Sequence, residues 1–189
     1  MELSYNATLD AVNEILSVVG EAPINTLENL QNIDAINALR LLDNVSRKIQ
    51  AKGWSFNTIP EYTLNPDAQT KRIRWTDNFL YLRGLGGENL VKYGEYLKDL
   101  AADQTEFEGP LVVEAVLLLD LGEMPVPMRS YIITATAHAF AVRFFGSPDL
   151  VGATSEDVSD ALITLNEFEI DRGRYNALNN QSINALRKR

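Results

Sequence analysis

Apolar residues recur at helical spacing over 8–19, where Leu9, Val12, Ile15, Leu16 and Val19 form one stripe. Thr8 is placed to cap that helix, and Gly20 to end it. A second stripe, Ile36, Leu39, Leu42, Val45 and Ile49, predicts a helix over 34–52. Its last turns carry Arg47, Lys48 and Lys52, the sign that the helix dipole favours there, and Gly53 is a natural stop. Beyond Gly53 the period changes. Trp54, Phe56, Tyr62 and Leu64 alternate with polar residues, as do Ile73 and Trp75 and, more loosely, Tyr93 and Tyr96. Pro60, Pro66, Gly84, Gly86 and Gly87 punctuate these runs, which predicts several short strands joined by long turns. The run 111–119 is apolar except for Glu114 and predicts the best-buried strand.

Helical texture resumes after 121. Pro125 and Pro127 open a segment that Gly146 and Pro148 close, which predicts a third helix over 127–145. No charged residue lies between Arg129 and Arg143. A helix neutral on every face must be buried over most of its surface, and a short chain has few places to do that alone. One side of this helix is therefore expected to be covered by another subunit, with Ala139, Phe144 and Phe145 as interface candidates. Adjacent helical residues point about 100° apart, so Phe144 and Phe145 are expected to divide between core and partner. Thr154 and Ser155 begin the fourth helix, with Asp157 completing a capping box and Val158, Ala161, Leu162, Leu165 and Phe168 as its stripe. The fold class predicted is α+β, mainly α. It has a four-helix core with a β-rich insertion between helices two and three. The domains are a discontinuous helical domain over 1–53 and 122–176, the insertion over 54–121, and a C-terminal basic arm over 177–189.

Composition adds three constraints. A formal net charge of -9 on 189 residues argues against a chain that coats nucleic acid with its whole surface. The charge is uneven, because 173–189 holds no acid and four bases, Arg174, Arg187, Lys188 and Arg189. The chain has no cysteine, which removes disulfides, thiol nucleophiles and cysteine-ligated metals. The start, MELSYNATLDAV, lacks the basic and apolar regions of a signal peptide. No apolar run approaches the roughly 20 residues needed to cross a bilayer. The expectation is a chain that is soluble, at least until it is assembled, with no membrane contact.

Four landmarks occur in order: AVNEILSVVGEAPINTLE, KGWSFN at the end of helix two, EMPVPMRSYI entering helix three, and RFFGSPD leaving it. In that order, with a β-rich stretch between the second and third, they resemble the tail tubular protein A family of short-tailed bacteriophages. The resemblance covers about residues 9–176, and 57–110 match it poorly. It implies a structural virion protein without catalysis, assembled in the host cytoplasm. It implies a dodecameric adaptor, or gatekeeper, ring below the portal protein and above the tail nozzle (tubular protein B). DNA would pass through the lumen without specific binding, and the ring would help attach tail fibres. Under that reading the basic arm reaches the portal or a neighbour. Tyr175, Leu178, Ile183 and Leu186 would be its apolar anchors, and Arg187, Lys188 and Arg189 its charges.

The residues offer little for catalysis, and no cofactor or metal is expected. His138 is the sole histidine and reads as a packed, hydrogen-bonded side chain. Glu167 and Asp171 share a helix face, and Glu106 and Glu108 share a strand face if that segment is extended. Paired carboxylates are the requirement for glycoside hydrolysis, so a tail-associated cell-wall hydrolase, or a dual-role protein, is the alternative. In a chain with 26 acids, such neighbours read more simply as a solvated face. DQTEFEG lacks the ligand order of an EF-hand. RGLGGEN lacks the Lys and Ser or Thr of a phosphate loop, and reads as a turn.

Overall fold

The computed structural model describes residues 6–178, with side chains described as far as Arg172. The chain divides into a helical unit, up to Ile49 and from Asp120 onward, and a β-rich unit, Gln50–Leu119. The fold is α+β and mainly α, with four α-helices among the described residues.

In the helical unit α1 spans Ala7–Val18. Its cap is Asn6, not Thr8: the Asn6 carboxamide oxygen accepts from the amides of Thr8 and Leu9 at 3.2 and 3.1 Å. Asn is the stronger cap and lies two residues earlier. Gly20, at φ +79, ends the helix. The Glu21 amide reaches the Leu16 carbonyl and the Gly20 amide the Ser17 carbonyl, the paired bonds of a Schellman close. Asn13 then holds the following turn, bonding the Ile24 amide and carbonyl at 2.8 and 3.0 Å. Helix α2, Ile33–Gln50, is capped by Asn32. Its deepest residues include Ala35, Ala38, Leu42 and Ile49, so the buried line lies beside the predicted stripe, and Ile36, Leu39 and Val45 are half-buried.

Helix α3, Val126–Phe144, starts from Pro125, whose φ of −54 suits helix entry and whose missing N–H costs nothing there. Helix α4 spans Pro148–Leu178, so the predicted start at Thr154 is wrong. Pro148 opens the first turn, Asp149 favours it electrostatically, and the Val151 amide bonds the Ser147 carbonyl. Thr154 is inside the helix and buried, with its hydroxyl donating to the Leu150 carbonyl. Helix α3 packs against both α1 and α4. The buried positions include Ala11, Val12, Ile15 and Leu16 of α1, Met128, Ile132, Ile133, Ala137, Phe140 and Ala141 of α3, and Leu165 of α4.

The β-rich unit holds β1 (Thr58–Leu64), β2 (Phe79–Gly84), β3 (Leu90–Tyr93), β4 (Tyr96–Asp99) and β5 (Leu111–Leu117). Strand β5 lies between β1 and β2 in an antiparallel sheet, and β3 and β4 form a separate hairpin. The predicted best-buried run is thus the central strand, with Val113 and Ala115 fully buried. Glu114 interrupts it because Arg83 is its cross-strand partner, joined by two bonds of 3.2 and 2.9 Å. The ion pair holds the Arg83 guanidinium above its ordinary pKa, first through the Glu114 hydrogen bond and then through its charge. Phe79 sits edge-on to Tyr62 and Trp75 in the core of this unit. Two predicted strands are absent. Trp54 and Phe56 lie in a turn, because the Asn57 side chain takes the Trp54 amide at 2.8 Å. Ile73 and Trp75 flank a single bridge, Arg74 to Tyr96.

Buried amides join the start of this unit to its end. The Gln50 side chain donates to the Leu119 carbonyl at 3.1 Å and accepts from the Leu119 amide at 2.8 Å. The Asn57 amide nitrogen donates to the Gln50 and Leu117 carbonyls at 3.1 and 2.8 Å. Gln50 and Asn57 are 0% and 2% exposed, and these bonds satisfy the polar groups they bury.

Candidate assembly interface

The neutral helix is not covered on all sides within one chain. Helix α3 buries the face of Met128, Ile132, Thr136, Phe140 and Ala141, while Ala139 is half-buried and Ser130, Val142, Arg143 and Phe144 are exposed. A helix so poor in charge that is buried or half-buried over 131–141 and exposed at its C-terminal turn offers an apolar end to an assembly partner.

At that end Val142, Phe144 and Phe145 are 47%, 47% and 44% exposed. Phe144 and Phe145 do not divide between core and surface as expected. Both rings lie against the fully buried Phe140, with centroids 4.7 and 6.1 Å away. The reason is local. Phe145 is the C-cap residue, with φ −117, and Gly146 turns the chain at φ +66. Phe145 therefore leaves the helical wheel and joins its neighbour beside Phe140.

Helix α4 carries a second exposed apolar feature that the predicted stripe misses. Leu165 is buried, and Val158, Ala161, Leu162 and Phe168 are half-buried. On the opposite side Ile163 and Ile170 are 56% and 55% exposed. They are seven residues apart, two turns, so they share one face, and the available signal was this isoleucine pair among acids. A groove of about 380 Å³ runs between α1, α3 and α4, with Glu14, Asp157 and Asp160 among its lining. Among the described residues no base pairs with any of these three carboxylates.

The candidate chemistry is not assembled into a site. His138 Nδ1 lies 2.9 Å from the Thr154 hydroxyl oxygen, which also reaches the Leu150 carbonyl at 2.8 Å, so the ring is hydrogen-bonded between α3 and α4. Glu106 and Glu108 lie in an irregular segment, not on a strand face, and Glu106 faces Arg72 at 3.9 Å. Glu167 and Asp171 are exposed on α4. In the 103–109 segment Asp103 is held by Lys98 at 2.6 Å. That hydrogen bond holds the Asp103 carboxyl below its ordinary pKa and the Lys98 amine above its own. No acid and histidine group suited to a metal ion occurs among the described residues. The glycine turn closes on its own carboxylate, with the Gly86 amide donating to Glu88 at 2.9 Å, so it offers no cradle for phosphate. No helix among the described residues is long and apolar enough to cross a membrane.

Of the predicted arm, Tyr175 and Leu178 have backbone within α4. Their side chains, and Ile183, Leu186, Arg187, Lys188 and Arg189 entirely, lie outside the described residues.

No curated protein matches the sequence. The model of the tail tubular protein family matches residues 9–175, which spans both units and all four helices. The chain belongs to the tail tubular protein family, structural components of phage tails.

Proposed function

We propose that the chain forms the adaptor ring between the portal protein and the tail nozzle of a short-tailed phage. Twelve copies would enclose a channel for DNA ejection and help attach tail fibres, and the ring would be built in the host cytoplasm. The observation that carries the reading is the family match over 9–175. Two features of the molecule support it. An otherwise neutral helix leaves Val142, Phe144 and Phe145 uncovered in one copy. The body is acidic, at -9 per chain, which suits a channel that must let phosphates slide past without binding. In this reading the helical domain supplies the ring contacts. Ala139, Phe144 and Phe145 face a neighbouring copy, and the basic arm from 177 onward grips the portal or the next subunit. The protein acts by position and shape, not catalysis.

Solution mass together with end-on electron micrographs tests the proposal. A ring of about twelve copies with an acidic lumen is expected. A channel lined chiefly by Lys and Arg, or a stable monomer at high concentration, would overturn it.

A further inference from the structure

Two exposed apolar features of the helical unit have opposite charge around them. At the end of α3, Val142, Phe144 and Phe145 surround the exposed Arg143. On α4, Ile163 and Ile170 lie on a face that also carries Glu156, Asp160 and Glu167, every one of them exposed. No ion pair among the described residues involves Arg143, Glu156, Asp160 or Glu167.

The two features cannot meet within one chain. Phe144 and Phe145 sit immediately before Pro148, the first residue of α4. At 1.5 Å per residue, Ile163 and Ile170 lie about 22 and 33 Å further along that helix. Among the described residues neither feature covers the other.

We infer that the aromatic end of α3 on one copy seats on the outer face of α4 on a second copy. The inference rests on the ring reading and names the surfaces that make the ring. Phenyl rings against Ile163 and Ile170 supply the apolar centre of the contact. Arg143 between Asp160 and Glu167 fixes its register and rejects the reversed arrangement. Because the joined patches differ, the contact is heterologous, and heterologous contacts close into rings or run on as filaments. The aromatic cluster is small beside the roughly 800 Å² per partner of a stable interface. It is the energetic centre of a wider surface that includes Ala139, one turn before Val142 and Arg143.

The test uses two full-length variants, each altered only at exposed positions. One carries Phe144→Asp, and the other carries Ile163→Asp with Ile170→Asp. Each alone should remain monomeric where the wild type assembles, with self-association at least tenfold weaker and with an unchanged far-ultraviolet spectrum, and each should melt as the wild type does at concentrations low enough to keep the wild type monomeric. Mixed in equal amounts, they should give one-to-one pairs and nothing larger. The first still presents a working α4 face and the second a working aromatic end, and their union leaves only two damaged surfaces. Normal assembly of either variant, or a mixture that stays monomeric, would refute this contact while a wild-type ring kept the broader reading intact. A wild type that stays monomeric would sink both.

Discussion

Replacing Gln50 by Leu keeps the volume of a fully buried side chain and removes both of its bonds to Leu119. The Leu119 amide and carbonyl then lose their side-chain partner, at ~1–3 kcal/mol for each orphaned group. The apolar replacement is easier to bury and returns up to ~2 kcal/mol. Subtracting it leaves a net loss centred on ~2 kcal/mol, which at ordinary urea sensitivities lowers the unfolding midpoint by about 1 M. Tryptophan emission is the right signal, since both tryptophans, Trp54 and Trp75, belong to the β-rich unit that Gln50 closes. Gln69→Leu, at an exposed position, is the control and should shift stability by less than ~0.5 kcal/mol. If Gln50→Leu unfolds at the same urea concentration as the wild type, the paired amides do not stabilise the unit and the reasoning fails.

Three further outcomes are expected. Ala139→Glu adds a charge at a half-buried position, so the chain should fold while its assembly is lost; sedimentation against a circular dichroism melt separates the two. Asp67 is held below its ordinary carboxyl pKa, first by the Thr70 amide, then by the Thr70 hydroxyl and the Gln69 amide. A carboxyl depressed on folding contributes stability above its unfolded value of 3.8 and loses it as pH falls through the lower folded value, so Asp67→Asn should flatten the acid limb of a stability–pH curve below that point. Truncation after Asn176 should leave a folded subunit that joins portal-bearing heads poorly, and high salt should weaken the intact joint; equally firm attachment without the arm would make it a bare terminus.

The legible parts of the fold are those fixed by periodic burial. Helices one, two and four and the burial of β5 follow from apolar spacing, because the same spacing decides which face meets the core, and helix three follows from its flanking Pro and Gly. Boundaries set by competing local bonds were harder to read. Thr8 and Thr154 both look like caps, yet Asn6 precedes the first and takes the role, and α4 already begins at Pro148, a turn and a half before the second. The alternation around Trp54 and Phe56 has the period of a strand, but one bond from Asn57 diverts the backbone into a turn. In the candidate interface, the missing charge of α3 pointed to an uncovered helix. The joint stacking of Phe144 and Phe145 on Phe140 could not be read, since it depends on where the chain leaves the helix at Gly146. Ile163 and Ile170 were missed because the inward stripe of α4 accounts for most of its apolar residues.

The amides of Gln50 and Asn57 also change what the Gln50–Leu119 excursion means for the rest of the chain. Closing a flexible loop costs entropy that grows with its length. An excursion whose first and last residues are bonded to each other no longer behaves as a long loop. From the helical side it resembles a short connection that happens to carry a folded body. Such a body can gain or lose strands, or be exchanged for another, with little effect on whether α2 and α3 find their places. A lineage of related proteins built this way is free to diversify what its members display in that excursion while the helices that precede and follow it stay under a separate constraint.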